Sequence, residues 1–368
     1  MKIYLVGGAV RDQLLGIPVK ERDYVVVGAT ISEMQALGFL QVGKEFPVFL
    51  HPKTKDEYAL ARTERKTSPG YKGFNVDSSK NVCLEDDLKR RDLTINAMAI
   101  DEETQQLVDP FHGQADLAQK ILRHVSGAFI EDPVRILRVA RFYARYAHLG
   151  FYIADETLAL MKKMVASGEV NALVPERVFK EFERALGEKN PENFFEALAW
   201  CNALTVLFPE ITLDSKGMRS LAASTVFTSD SCIRFAVLCH TLAKPSILLL
   251  SKRFRMPNAY QTLALLTAEF HQTALLSKQL SADELLDFFL RLDVFRREDR
   301  FKKLLIACEI IAHINDVHFD TRYLLEALKV AKSVNVQELL KQGLSGDQLA
   351  KELKKLRQEK IKSWLKNL

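Results

Sequence analysis

Short runs of apolar and β-branched residues alternate with helical stretches over the first 110 residues of the chain. Glycine, proline or charged residues separate the runs, as is typical of strands in a mixed sheet. The runs are IYLVGG, DYVVVG, PVFLH, EYALAR, TINAMAI and LVDP. This pattern predicts a small mixed α/β domain.

From about Ser126 onward the pattern changes to helical periodicity, and almost no strand signal remains. Segments such as PERVFKEFERALG space their apolar residues three or four positions apart and begin or end at Pro, Asp, Asn or Gly. We therefore predict an α+β protein with a small mixed α/β head followed by an elongated all-α body. The expected domains are a head over 1–125, a helical neck over 126–210, and a helical body with a basic tail over 211–368.

The composition is that of a globular protein, since 48% of the 368 residues are apolar and 27% are charged. No run of about 18 uncharged apolar residues occurs, so no membrane span is predicted. The N-terminal stretch MKIYLVGGAVRD is unlike a secretory signal, and we expect a cytoplasmic protein. The five cysteines are scattered without C-x-x-C spacing, which favours buried, reduced thiols.

Two carboxylates lie close together in the segment KERDYVVV, where Glu21 and Asp23 begin a β-branched run. On a strand, residues i and i+2 point to the same face, so both side chains are expected to project together. Like charges this close repel each other unless a cation lies between them. Magnesium, which proteins often hold with one or two carboxylates and substrate phosphates, meets that need.

A glycine pair precedes the acidic residues. Gly7 and Gly8 allow the backbone to approach a ligand closely, and the helix predicted from Ala9 would direct its first N–H groups at an anion. Arg11 in the first turn would add positive charge beside a phosphate. A Rossmann nucleotide-binding unit is disfavoured because G-x-G-x-x-G is absent.

Together, LVGGAVRDQLLG and ERDYVVVG resemble the signature of the tRNA nucleotidyltransferases. These are the CCA-adding enzymes of the DNA polymerase β superfamily, in the bacterial type that also includes poly(A) polymerases. The family's acidic pair is usually Asp-x-Asp, so Glu21 departs from it by one methylene. The resemblance implies a nucleotidyltransferase that adds C, C and A to the 3′ end of tRNA from CTP and ATP, with Glu21 and Asp23 as catalytic ligands of two Mg²⁺ ions.

The string LEDDLKRRDLTINAMA resembles the family's R-R-D-x-x-x-N-A element. That likeness implies that Arg91 and Asp92 hold the sugar and phosphates of the incoming nucleotide. Gly8 and Arg11 would help to position the phosphates. From the pattern alone, a charged amphipathic helix is the alternative.

In FIEDPVRILRVARFYARYAHLG, Asp132 and Pro133 are typical of a helix start. When about 100° is counted per residue, the four arginines of this helix share one face. They are Arg135, Arg138, Arg141 and Arg145. Four unpaired like charges destabilise a helix, so a polyanionic partner is expected to face them.

This helix resembles the family's E-D-x-x-R element with a downstream R-x-x-R. The likeness implies that Asp132 and Arg135 pair with the base edge of CTP or ATP, in place of a nucleic-acid template. Arg138 and Arg141 would contact the nucleotide. Capping of the helix by Asp132 is the alternative use of the same oxygens.

Three further segments bear on function. Glu57 on a predicted strand is a candidate third acidic group, and the basic residues 62–75 predict a mobile loop of the kind that helps relatives switch from C to A addition. Longer relatives carry a phosphohydrolase domain with a His-Asp dyad. Here Thr241 follows His240, so we predict a core histidine and a shortened helical body without phosphatase activity.

The last 18 residues contain seven Lys or Arg and two Glu, with apolar residues at roughly helical spacing. They predict an amphipathic basic helix, either solvated or in contact with an RNA backbone. The net charge of +5 is modest, and no feature predicts a protein partner. A poly(A) polymerase, a non-catalytic RNA-binding relative and a nucleotide-binding protein that does not act on RNA remain the alternatives.

Overall fold

A computed structural model of the chain describes residues 1–42, 48–66 and 74–368. The chain forms two compact units, Met1–Ile211 and Thr212–Leu368. The predicted boundary at residue 125 falls inside the first unit. The division into head, neck and body therefore stays a prediction.

The first unit contains a seven-stranded mixed sheet in the order β3-β4-β5-β2-β1-β8-β9. β1 pairs antiparallel with β2 and β8, whereas β2 pairs parallel with β5. Two short pairs, β6 with β7 and β10 with β11, lie outside this sheet. The strands are β1 Lys2–Val6, β2 Asp23–Val27, β3 Leu40–Gln41, β4 Val48–Leu50, β5 Glu57–Leu60, β6 Thr63–Lys66, β7 Phe74–Asp77, β8 Ala99–Asp101, β9 Leu107–Val108, β10 Ile121–Leu122 and β11 Tyr152–Ile153.

Both faces of the central strands are buried, which explains the uninterrupted apolar run of β2. Val25 packs with Tyr4 and Val6 in one core cluster, while its neighbour Val26 packs with Phe49 in another. Successive residues of a strand point to opposite faces, so each face of the sheet has its own core.

The predicted strand TINAMAI is shorter than expected. Thr94–Asn96 forms a 3₁₀ turn, and β8 begins only at Ala99. The Thr94 hydroxyl donates to Asp116 at 2.7 Å, and the Asn96 amide donates to Asp92 at 3.0 Å. Side chains that bond locally compete with a strand ladder, and these bonds keep the segment in a turn.

The helices of the first unit are α1 Gly8–Leu14, α2 Ile31–Ala36, α3 Leu84–Lys89, α4 Gly113–Gln119, α5 Val134–Tyr146, α6 Asp155–Ala166, α7 Pro175–Leu186, α8 Glu192–Trp200 and α9 Ala203–Leu207. α5 packs against α7 and α8. Its apolar face buries Ile136, Leu137, Val139 and Ala140 as the periodicity predicts.

The predicted basic loop at residues 62–75 lies only partly within the described chain. β6 and β7 pair antiparallel at its two ends. Residues 67–73, which include Lys72, lie outside the described residues.

The second unit is helical throughout. Its helices are α10 Lys216–Ala223, α11 Ser231–Cys239, α12 Lys244–Arg253, α13 Asn258–Leu275, α14 Ala282–Arg291, α15 Glu298–Ile314, α16 Thr321–Lys332, α17 Val336–Lys341 and α18 Gly346–Lys366. The predicted basic tail helix is α18, and it packs against α14 and α16 through the buried Ile361 and through Trp364, whose ring lies 5.1 Å from that of Tyr323.

His240 is a buried core residue, as predicted, and burial lowers its pKa to about 4. Its ring meets the edge of His271 at 5.2 Å, and its Nδ1 lies 2.7 Å from the Val237 carbonyl. The absence of phosphatase activity stays a prediction.

The cysteines are all free, and four of the five are buried. The prediction of buried thiols is wrong for Cys83, which is exposed. It precedes α3, where its thiol reaches the exposed Asp86 at 3.0 Å.

Gly113 lets α4 pack against the 3₁₀ turn that carries Asn96. A Cβ at Gly113 would lie 2.4 Å from the Thr94 carbonyl oxygen and 2.7 Å from Met98 Cγ. We expect Gly113→Ala to lower the free energy of unfolding of the first unit by about 1–3 kcal/mol, because overpacking forces the backbone to shift. Urea denaturation followed by circular dichroism measures this. Gly127→Ala is the matched control, since nothing lies within 4 Å of the added methyl, and an equal loss in both variants would contradict the packing argument.

Candidate active site

Asp23 lies at one edge of the sheet, where β2 and β5 begin and β1 ends. It pairs with Val6, the last residue of β1, on one side and with Glu57, the first residue of β5, on the other. Because β2 and β5 run parallel, Asp23 and Glu57 stand side by side at one edge of the sheet. The chain after Val6 turns at once into Gly7, so this acidic edge lies beside the glycine turn.

The carboxylates of the acidic edge act on each other. The pKa of Asp23 is raised, first by partial burial, then by repulsion from Glu57 and from Glu21, against an opposing attraction from Arg91. The carboxylates of Asp23, Glu57 and Glu21 therefore lie near a single cationic side chain, that of Arg91. A second cation would relieve this repulsion, and carboxylate oxygens suit a hard divalent ion such as Mg²⁺.

Glu21 is not part of a strand, so the prediction that it shares the strand face of Asp23 is wrong. β2 begins at Asp23 because its partner β1 ends at Val6, and Gly7 then turns away with a φ of 70°. Residue 21 has no ladder partner beyond that point. Its charge nevertheless reaches Asp23, as the raised pKa of Asp23 records.

The glycine turn makes room for Arg91. A Cβ at Gly7 would lie 2.9 Å from Arg91 Nη1, and a Cβ at Gly8 would lie 3.3 Å from Arg11 Nη2. Arg91 also donates to Asp87 at 3.1 Å. Its buried Nε has no hydrogen-bond partner in the described part of the chain. The structure thus brings Gly8, Arg91 and the acidic edge together.

Asp92 is buried and fully engaged within the protein. One oxygen accepts from Arg138 Nε at 2.7 Å, and the other accepts from the Asn96 amide at 3.0 Å and from the Leu93 N–H at 2.8 Å. These donors and the charge of Arg138 outweigh burial and hold the pKa of Asp92 far below its usual range. Asp92 therefore links the segment that follows α3 to α5.

Arg11 is buried rather than open to solvent. It donates to Asp12 at 2.8 and 2.9 Å and also to Asn96, and its guanidinium lies over the rings of Phe142 and Tyr146. Through these contacts Arg11 holds Asn96 and the helix α5, which carries Phe142 and Tyr146, in place.

Arg138, Arg141 and Arg145 of α5 form ion pairs within the chain, so the prediction of four unpaired charges is wrong. Arg138 pairs with Asp92, Arg141 bonds Glu181 of α7 at 2.6 Å, and Arg145 reaches Asp12 at 3.4 Å. The sequence showed the shared face but not the acids opposite, which come from other elements.

The two residues predicted to read the base lie at the start of α5. Arg135 donates to the carbonyl oxygens of Ala128 at 2.6 Å and of Arg90 at 2.5 Å. Asp132 accepts from the Val134 N–H at 3.2 Å, although the N-cap residue of α5 is Pro133 and not Asp132 as the sequence suggested. Its carboxylate also forms a two-pronged pair with Arg177 of α7.

Sequence reasoning missed Asp12, Arg177 and Glu181 as parts of this network. Glu181 had a usable signal, because it stands among Val178, Phe179 and Phe182 on the buried face of α7. An acid in that position needs a cationic partner.

Across the described residues, no group of three or more His, Cys, Asp or Glu side chains forms a metal site. A cation at the acidic edge would therefore take further ligands from a substrate or from water. In the described part of the chain, no helix has the length and apolarity that crossing a bilayer requires.

Residues 3–123 match the family described as the Poly A polymerase head domain, and residues 150–214 match the probable RNA and SrmB binding site of polymerase A. The fold and the acidic edge thus define the class of protein as a nucleotidyltransferase, and the predicted α+β fold is confirmed. The CCA-adding enzyme of Coxiella burnetii (strain RSA 331) is 51% identical over 363 residues, which cover 99% of this chain and 95% of the relative. The chain belongs to the family of the bacterial CCA-adding enzymes.

Other relatives agree. The CCA-adding enzyme of Pseudomonas putida (strain W619) is 48% identical over 368 residues, 100% of this chain and 99% of the relative. Among solved structures, apo form II of a CCA-adding enzyme has a TM-score of 0.72 at 24% identity and covers 100% of this chain and 92% of its own. The Thermotoga maritima CCA-adding enzyme in complex with tRNA has a TM-score of 0.69 at 23% identity, with 98% and 87% covered, and shows the same fold.

We expect Asp92→Asn to destabilise the first unit by about 2–3 kcal/mol at neutral pH, because it removes the closer of the two carboxylates that pair with Arg138 and leaves only Glu181 at 3.6 Å. The carboxylate has a depressed pKa, so its stabilisation is present above about pH 4 and is lost as the pH falls further. The difference between the urea midpoints of wild type and variant should therefore shrink below about pH 4.

Asp86→Asn is the control, since Asp86 is exposed on α3. Its effect should stay within about 0.5 kcal/mol at every pH. A difference for Asp92→Asn that does not change with pH would show that the lost stability does not come from the charge.

Proposed function

We propose that the protein adds C, C and A to the 3′ end of tRNA without a template, using CTP and ATP and releasing pyrophosphate. The observation that carries the proposal is the acidic edge of Asp23, Glu57 and Glu21 beside the glycine turn and Arg91. In the reaction, the RNA 3′-hydroxyl attacks the α-phosphate of the nucleotide and loses its proton.

Glu21 and Asp23 are the proposed ligands of the divalent cations, and Glu57 is the candidate third carboxylate. The mutual repulsion of these groups fits a cation of charge +2. Two Mg²⁺ ions bound here would supply the acidity of the 3′-hydroxyl and would neutralise the triphosphate and the leaving pyrophosphate. The longer reach of Glu21 suits its place two residues before Asp23, the first residue of the strand ladder.

Gly8 and Arg91 are the proposed contacts to the phosphates and ribose. The Nε of Arg91, which has no hydrogen-bond partner among the described residues, gives a donor for that purpose. Asp92 and Arg11 are already bonded inside the protein, so we propose that they act on the nucleotide by fixing Asn96, Arg138 and the start of α5.

Asp132 and Arg135 are the proposed readers of the base. An ionised carboxylate accepts from an exocyclic amine, and a guanidinium donates to ring acceptors. Arg138, with Arg141 behind it, contributes positive charge on the same face of α5. The cytoplasmic location stays a prediction.

The identity of the added nucleotides tests the proposal. With a tRNA that lacks its CCA end, CTP alone should extend the RNA by two nucleotides, CTP with ATP by three, and ATP alone hardly at all. Denaturing gels with single-nucleotide resolution measure this.

The alternatives give different products. A long ladder from ATP alone would identify a poly(A) polymerase, and tRNA binding without extension would identify a non-catalytic RNA-binding relative. Lack of affinity for tRNA would indicate a nucleotide-binding protein with another substrate.

The acidic pair is tested by substitution. Asp23→Ala is expected to lower kcat by about a thousandfold, because the triphosphate and the attacking oxygen lose their shared charge partner. Glu21→Ala should lower kcat strongly as well, whereas Glu21→Asp restores the usual family pair and should keep activity. The measurement is the rate of C addition as a function of Mg²⁺ concentration.

Glu103→Ala is the matched control, because this exposed acid lies in the turn between β8 and β9, outside the proposed site. It should behave as wild type. Full activity in a protein that carries both Glu21→Ala and Asp23→Ala would end the metal-site interpretation.

A further inference from the structure

The carboxylate of Asp132 is held from two elements at once. Arg177 donates from Nη1 to Oδ1 at 3.1 Å and from Nη2 to Oδ2 at 2.7 Å. The Val134 N–H donates to Oδ1 at 3.2 Å. A carboxylate has about four lone-pair directions, so among the described residues these bonds leave one acceptor direction, on Oδ2. The side chain is 20% exposed and can be reached by a ligand.

Arg177 is itself rigidly placed. α7 begins with Pro175 and buries Val178 and Phe182. One turn after Arg177, Glu181 of the same helix bonds Arg141 of α5. Two contacts one turn apart thus tie α7 to α5, so the guanidinium fork holds Asp132 in one orientation rather than following it.

A carboxylate fixed in this way distinguishes bases by their edges. Cytosine and adenine present an exocyclic amine, which donates a hydrogen bond, where uracil and guanine present a carbonyl oxygen, which accepts one. An ionised carboxylate can only accept.

The pair adjoins a space that can hold a nucleotide. Val134 and Arg177, which both bond Asp132, line a cavity of about 470 Å³ between α5 and α7. Ligand cavities have volumes of about 300–1,000 Å³. Arg138, Lys180 and Arg184 also line it, together with one acid, Glu181, so basic side chains predominate on its walls and suit phosphates.

We propose that Arg177 is the specificity-determining positioning residue of the nucleotide site. Its fork holds Asp132 in one orientation, with one acceptor direction open, and thereby favours CTP and ATP over UTP and GTP. The inference rests on the proposed function, since it takes Asp132 to read the base. Arg177 acts through Asp132 and needs no contact with the nucleotide.

The test compares nucleotide discrimination in Arg177→Met, which removes the fork, and Arg177→Lys, which keeps the charge. Values of kcat/KM are measured for CTP and UTP on tRNA that lacks CCA, and for ATP and GTP on tRNA that ends in CC. In Arg177→Met the UTP/CTP and GTP/ATP ratios should rise about tenfold, the effect of losing one charged hydrogen bond. Arg177→Lys should raise them less.

A merely structural role for Arg177 would lower kcat/KM for all four nucleotides together and leave both ratios unchanged, which would overturn the inference. Arg322→Met is the matched control, because it removes the same charge from a side chain on α16 that is 82% exposed and lies outside the proposed site, and its ratios should equal those of wild type. If Arg177→Met does not fold, Arg177→Lys decides the question on the same ratios.

Coupling to Asp132 is tested in the double variant. Once Asp132→Ala is present, Arg177→Met should change the ratios no further. Suppose that Arg177→Met lowers the KM for CTP but leaves the UTP/CTP and GTP/ATP ratios unchanged. Arg177 would then compete with the nucleotide for Asp132, which would overturn the inference about Arg177 but not the proposed function. A wild-type protein that adds neither C nor A to tRNA would overturn the proposed function as well.

Discussion

The ion pair between Asp92 and Arg138 is the contact on which the site depends, because it joins the segment that follows α3 to α5. Asp92 also accepts from Asn96, whose carbonyl oxygen accepts from Arg11. On the other side, Arg138 lies 3.6 Å from Glu181 of α7. Arg11, Asn96, Asp92, Arg138 and Glu181 thus form a row of successive contacts. Buried charges are costly unless each has a partner, so each residue of this row keeps the next in place. The row sets where the start of α5 stands relative to the end of the sheet.

At the acidic edge the charges are not balanced, in contrast to the paired charges around Asp92. Asp23 has two acidic neighbours and one cationic one, and its raised pKa reflects that excess. Within the same unit, Asp92 has its pKa held down by well-placed donors. A fully paired carboxylate holds structure together, whereas an underpaired one is ready for a cation. This contrast separates the residues that build the site from those that we propose to act in it.

Local patterns predicted the local parts of this arrangement. The β-branched run after Asp23 predicted β2, and the periodicity of the arginine helix predicted both faces of α5. The partners of those arginines could not be predicted in this way, because they lie 40 residues away for Arg141 and 133 for Arg145. Glu21 was misplaced for a related reason: the length of β2 is set by its partner β1, which ends at Val6, and not by its own sequence.

Because of these ion pairs, the arginines on the shared face of α5 differ in how far they are available to a nucleotide. The side chain of Arg141 is only 7% exposed and lies between Glu181 and Glu188, so these two acids neutralise its charge inside the protein. Arg138 is 34% exposed and uses its Nε for Asp92. A guanidinium carries five N–H donors, so Arg138 can hold the row together and still offer donors to a nucleotide. The helix therefore needs no polyanion to be stable, and a nucleotide can bind to it without leaving a buried acid unpaired.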